Sequence, residues 1–158
     1  MPNVVVMAAK FARSIRQAGQ DWLLSCARNP ADVLRWWAAG KSASIASGEH
    51  WRVAEGPLLR SVVAMKCVCS RRLGPVLADA SAERAWWLLP PELGDDLDSV
   101  PQLMVHPIGW PLTCPPVLYA IDECFWLEPP DGSSHLTDPP ALTAAFAAGG
   151  RLSAEALG

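Results

Sequence analysis

The sequence predicts an α+β fold: an N-terminal antiparallel helical hairpin packed on a Pro-rich C-terminal layer with short strands and a final helix. Three observations carry that expectation. Apolar residues recur at helical spacing over residues 4–27, a turn with helix-start chemistry follows at once, and the C-terminal half mixes proline with aromatic and β-favouring residues. At 158 residues the chain is long enough to bury a core. It is expected to form a single domain, 1–158, with a basic, mainly helical half (1–78) and an acidic, Pro-rich half (79–158).

Val4, Ala8, Phe11, Ile15, Ala18, Trp22 and Cys26 recur at three- and four-residue steps, which predicts a first helix with this stripe buried. Lys10, Arg13, Arg16, Gln17 and Gln20 fall largely outside it. NPAD then offers Asn29 as N-cap, Pro30 at the first helical position and Asp32 near the positive helix end. A second helix is expected from Pro30 towards Ser47, turning Val33, Trp37 and Ile45 to the first, although Gly40 weakens it.

Residues 57–73 read two ways. As a helix they start at Pro57, set Leu59, Val62, Cys69 and Leu73 near one face, and end on Arg71, Arg72 and Gly74. As a strand they offer Val62–Val63 and Cys67–Val68–Cys69. Terminus chemistry favours the helix. Residues 82–89 are either a short helix capped by Ser81 or a strand through Ala85–Leu89, ended by Pro90 and Pro91 in both cases.

Eleven of the fifteen prolines lie between residues 90 and 140, so long regular elements are not expected there. Trp110, Tyr119, Phe125 and Trp126 in the same region argue for an ordered, loop-rich layer rather than a linker. Its best strand is VLYAIDECFWLEPPDG, with Val117, Tyr119, Ile121, Phe125 and Leu127 on one face and PPDG as the turn. Asp138 then caps a helix entered through Pro139 and Pro140, with Leu142 and Phe146 inside and Gly149–Gly150 at its end. The last eight residues are expected to form a frayed helical turn.

No apolar run approaches the roughly 20 residues that a membrane span needs, and no signal-peptide pattern opens the chain, so a cytoplasmic protein without membrane contact is expected. Ten Arg against three Lys, with abundant Ala and Pro, fit a GC-rich bacterial coding sequence. Five cysteines are an odd number and suit reduced thiols. Cys67 and Cys69 are spaced too tightly for the usual zinc knuckle and lack a second pair, so no metal is expected. No nucleophile elbow, zinc-protease motif or phosphate loop occurs, and neither catalytic residues nor a cofactor are assigned. Trp36–Trp37 and Trp86–Trp87 are adjacent, and neither a helix nor a strand can bury both rings of such a pair on one face. At least one ring of each pair is expected near the surface.

Charge is the most informative property. Residues 1–78 hold eleven bases and four acids; residues 79–158 hold two bases and twelve acids. From Ala85 to Gly150 there are nine acids and no Lys or Arg. Such asymmetry points to a charged partner. Glu92, Asp95, Asp96, Asp98, Asp122 and Glu123, interleaved with Trp110 and Trp126, are therefore the candidate partner-binding residues. The function class that follows is a non-catalytic cytosolic inhibitor, immunity or antitoxin-type protein that blocks a basic partner such as a toxin or nuclease. Two alternatives are a nucleic-acid-binding regulator using the bases of the first helices, and a small enzyme whose site assembles from distant residues.

Overall fold

The computed structural model describes the backbone of residues 4–157 and the side chains of residues 4–148. In chain order the elements are α1 (Val4–Ser25), α2 (Pro30–Ala38), β1 (Ala43–Ala46), β2 (Arg52–Pro57), α3 (Leu58–Cys67), a 3-10 turn (Ser70–Arg72) and β3 (Val76–Asp79). There follow β4 (Arg84–Leu89), β5 (Met104–Val105), β6 (Pro111–Cys114), β7 (Cys124–Glu128) and α4 (Pro139–Leu157). The strands form two antiparallel sheets, a pair β1–β6 and a five-stranded sheet in the order β5-β2-β4-β3-β7. The class is α+β. No helix among the described residues is long and apolar enough to cross a membrane.

The larger sheet sits between two apolar layers because its strands alternate. Ala54, Val76, Ala85, Trp87 and Leu89 face one side, joining Ala64 of α3 with Leu142, Ala145 and Phe146 of α4. Val53, Leu77 and Leu88 face the other, joining Leu23 and Cys26, Val33 and Trp37 of α2, and Ile45, Leu112 and Cys114 of the small sheet. Trp87 anchors the first layer: its indole N–H donates to Ser61 Oγ at 3.1 Å, and its ring meets Phe146 edge-on at 6.0 Å. Both sheets combine strands from the two halves of the chain. The N-terminal half holds α1, α2 and α3 and also supplies β1, β2 and most of β3.

The first helix forms, but its buried face is not the expected stripe. Residues 4–18 are exposed, with Phe11 at 69% and Ile15 at 39% relative exposure. Burial begins only at Gly19 and continues through Leu23 and Cys26. At Gly19 the helix passes so close to the Pro130 carbonyl that a β-carbon would collide with it. Periodicity specifies an apolar stripe; it does not guarantee a neighbour that covers it.

The second helix begins as expected, Asn29 Oδ1 accepting from the Asp32 N–H at 3.4 Å, and buries Val33 and Trp37. It stops at Ala38, where Gly40 takes a φ of 75°, and Ile45 is buried from β1 instead. Residues 58–67 are helical, with Pro57 just outside. The face turned inward is Ser61 and Ala64, while Leu59 is 80% exposed and Cys69 is exposed too. Small side chains let the helix lie close to the sheet, where Trp87 needs the Ser61 hydroxyl. Residues 84–89 resolve as a strand. The expected strand over 117–127 shortens to Cys124–Glu128, because residues 117–123 turn irregularly around Asp122. In α4 Asp138 Oδ2 accepts from the Ala141 N–H, and Leu142 and Phe146 are buried. The helix runs on through Gly149–Gly150 to Leu157, so the expected stop at the glycine pair and the separate frayed turn are both corrected.

Candidate functional site: a tryptophan-lined acidic cleft

The pleat that buries Trp87 turns Trp86 to the opposite face, and the antiparallel register brings polar neighbours there with it. Glu55 lies opposite Trp86, and Asp79 opposite both Arg84 and Cys124. Glu55, Arg84, Trp86, Asp79 and Cys124 therefore share one face of the sheet.

Glu55 is the hub beneath this face. Its carboxylate accepts from Trp86 Nε1 at 2.7 Å, Arg84 Nε at 3.0 Å and His106 Nε2 at 3.1 Å. Burial pushes its pKa up, but the bonds from His106, Trp86 and Arg84, with the charge on Arg84, outweigh that and hold it below the usual glutamate value. The His106 imidazole stacks on Trp110 with ring centroids 3.7 Å apart and planes 5° from parallel. One carboxylate thus fixes Trp86 directly and Trp110 through the imidazole.

Trp86 and Trp110, with Trp36 from α2, line a cleft of about 570 Å³ whose other walls include Lys41, Asp79, Ser81, Thr113, Asp122, Glu123 and Cys124. Its size is that of a site for a small ligand or a single inserted side chain. The acids are set by local backbone chemistry. Asp79 closes the β3–β4 turn, its Oδ1 accepting from the Ser81 N–H and hydroxyl and the Ala82 N–H. The Ser81 hydroxyl and the two N–H groups hold its pKa below the ordinary value against a smaller effect of burial, so it stays ionised. Asp122 and Glu123 are the two central residues of a tight turn in which Ile121 and Cys124 exchange both backbone hydrogen bonds, at 3.1 and 3.0 Å. Asp122 takes a φ of 53° there, which Asp tolerates better than most residues. The field is felt by a neighbour: burial, then Asp79 and Asp122, push the Cys124 thiol up to about 11.

Trp36 is 51% exposed at the cleft, and the chain's own Lys41 lies over it, Nζ 5.6 Å from the ring centroid. The two tryptophan pairs thus divide as their adjacency requires, with Trp37 and Trp87 buried and Trp36 and Trp86 at the cleft.

Of the candidate residues read from the sequence, Trp110, Asp122 and Glu123 meet here. Trp126 faces the same side of the sheet opposite Leu77, but packs on the core and donates its N–H to the Pro115 carbonyl at 3.2 Å. Glu92, Asp95, Asp96 and Asp98 are exposed on a separate loop beside α4, where the Thr143 hydroxyl donates to the Asp96 carbonyl. Buried Leu97 and Val100 pin that loop to the α3–α4 layer. The acids therefore divide into a cleft group and a loop group.

Sequence reasoning missed Trp36, Lys41, Asp79 and Trp86 as cleft residues and Glu55, Arg84 and His106 as their support. Two signals were present: an acid inside the strand-like RVAEGP, and the turn sequence DASAER. Among the described residues no three His, Cys, Asp or Glu side chains are grouped as a metal site would need. Comparison with protein-family models, curated proteins and solved structures finds no match to this chain.

Proposed function

We propose that this is a non-catalytic binding protein of the bacterial cytosol, of the inhibitor, immunity or antitoxin type, whose acidic, Trp-containing surface blocks a basic partner protein. The observation that carries the reading is the cleft: three tryptophans and the carboxylates of Asp79, Asp122 and Glu123 converge on it. Rigid aromatic walls supply contact area at little entropic cost, and fixed carboxylates select a positive partner. The loop acids Glu92, Asp95, Asp96 and Asp98 add to the long-range field that steers approach. In this reading the N-terminal helical hairpin presents Trp36 and the turn after it presents Lys41 to the cleft, and the Pro-rich layer carries Trp110 and the Asp122–Glu123 turn.

Affinity capture from the native host, followed by assay of the captured protein's own activity, tests the role. The expected result is a basic partner whose activity falls stoichiometrically as this protein is added. Trp110→Ala and Trp36→Ala should each weaken that inhibition. Capture of nucleic acid, lost on Arg13→Glu and Arg16→Glu and indifferent to the tryptophan changes, would replace this reading with that of a nucleic-acid-binding regulator.

A further inference from the structure

We infer that the cleft receives one arginine side chain of the partner, and that Lys41 is the resident cation which the incoming guanidinium displaces. The inference rests on the basic-partner reading and specifies the ligand chemistry of the same site.

Lys41 is a cation already tethered at the cleft, so where it settles reports what the cleft does with an ammonium. It lies over the Trp36 face at 5.6 Å, near the outer limit for a cation–π contact of about 6 Å. Among the described residues no ion pair joins it to Asp79, Asp122 or Glu123, although all of them line the same cleft. A compact, strongly hydrated charge remains on the aromatic wall and forms no ion pair with the carboxylates.

A guanidinium suits the remaining chemistry better. It is planar and weakly hydrated, so it can stack on an indole face while its edge donates to carboxylates as a fork. The cleft offers both surfaces: the Trp36, Trp86 and Trp110 side chains, and carboxylates on two separate turns. Asp79 engages its turn through Oδ1 in all three of its bonds, which leaves Oδ2 for a ligand. The Glu55 hub holds two of the walls in place before the ligand arrives, which lowers the ordering cost of binding. The same cation cannot occupy the Trp36 face while Lys41 does. Lys41 therefore competes with the ligand, and its removal strengthens binding.

Short capped peptides that differ only in a central arginine, lysine or citrulline provide the test, read by tryptophan fluorescence and by the indole N–H resonances of Trp36, Trp86 and Trp110. The arginine peptide is expected to shift these signals and the lysine peptide to bind roughly 10-fold more weakly. Citrulline, which keeps the shape without the charge, should not bind. Lys41→Ala should tighten the arginine peptide roughly 2- to 5-fold, the scale of one exposed cation–π contact. Asp122→Asn with Glu123→Gln should remove the response. Equal binding of arginine and lysine peptides, or no gain from Lys41→Ala, overturns the inference. If the captured basic partner still loses affinity on Asp122→Asn/Glu123→Gln, that failure leaves the proposed function standing. If the partner is indifferent to those substitutions, the proposed function itself fails.

Discussion

Replacing Glu55 by glutamine keeps the shape of the hub and removes its charge, and the structure sets the size of the effect. Three N–H donors converge on the carboxylate, from Trp86 at 2.7 Å, Arg84 at 3.0 Å and His106 at 3.1 Å. An amide presents one acceptor oxygen and one donor, so at least one of the three faces a donor and loses its bond. A hydrogen bond to a charged group contributes about 1.5–3 kcal/mol, and the two that survive become neutral and weaker. The side chain is 20% exposed, so water relieves part of the loss. The expected destabilisation at pH 7 is about 2–4 kcal/mol. The pH dependence has a definite sign. Glu55 is held below its ordinary value of 4.5 in the folded protein. Its contribution is present in full above the unfolded value and is lost as pH falls through the lower folded one. The gap between wild type and Glu55→Gln should therefore be widest near neutrality and close as the pH falls through the lowered Glu55 value. Urea unfolding followed by tryptophan fluorescence at several pH values measures it. A gap under about 0.5 kcal/mol at pH 7, or one that does not change with pH, refutes the hub.

Two further predictions concern the core and the thiols. Leu23 is fully buried, so Leu23→Ala should cost about 2–5 kcal/mol, whereas Ile15→Asp on the exposed part of α1 should cost no more than about 0.5 kcal/mol; thermal or urea unfolding of both variants checks the assigned face. Cys124, with its thiol pushed up to about 11 by burial and then by Asp79 and Asp122, should resist alkylation at pH 8 and react as the pH approaches that value, while exposed Cys67 and Cys69 label first; peptide mass mapping over a pH series reads this, and early labelling of Cys124 would contradict its burial beside the cleft carboxylates.

How much could be read from the sequence differed by kind of signal. Helix-start chemistry read well: Asn29 and Asp138 cap the helices they precede, and Leu142 and Phe146 are buried as their spacing implies, whereas helix ends at Gly74 and Gly149–Gly150 did not form where expected. Choice of face read poorly wherever coverage decides it. The apolar stripe of α1 is real, yet buried residues appear in the helix only from Gly19 onward. In α3, closeness to the sheet favours Ser61 and Ala64 over the larger Leu59. For the site, charge counting located Asp122 and Glu123 but grouped them with Asp95, Asp96 and Asp98, which pack elsewhere. Asp79 reaches the Trp86 face across the short β3–β4 turn, but Trp86 and Glu55 come together only through strand register, which joins residues about thirty positions apart, beyond the reach of a local pattern.

Whether the acidic cleft captures a basic protein is decided by the association rate with the recovered partner over a salt series. Asp122→Asn with Glu123→Gln removes two charges from the cleft rim, and asparagine is well suited to the left-handed backbone at position 122. The wild-type rate should fall as salt shortens the screening length to about 8 Å near 0.15 M. The double variant should start slower and depend less steeply on salt, with its unfolding midpoint nearly unchanged because exposed turn charges contribute little to stability. An unchanged rate and salt slope in the double variant, with folding intact, would contradict the account.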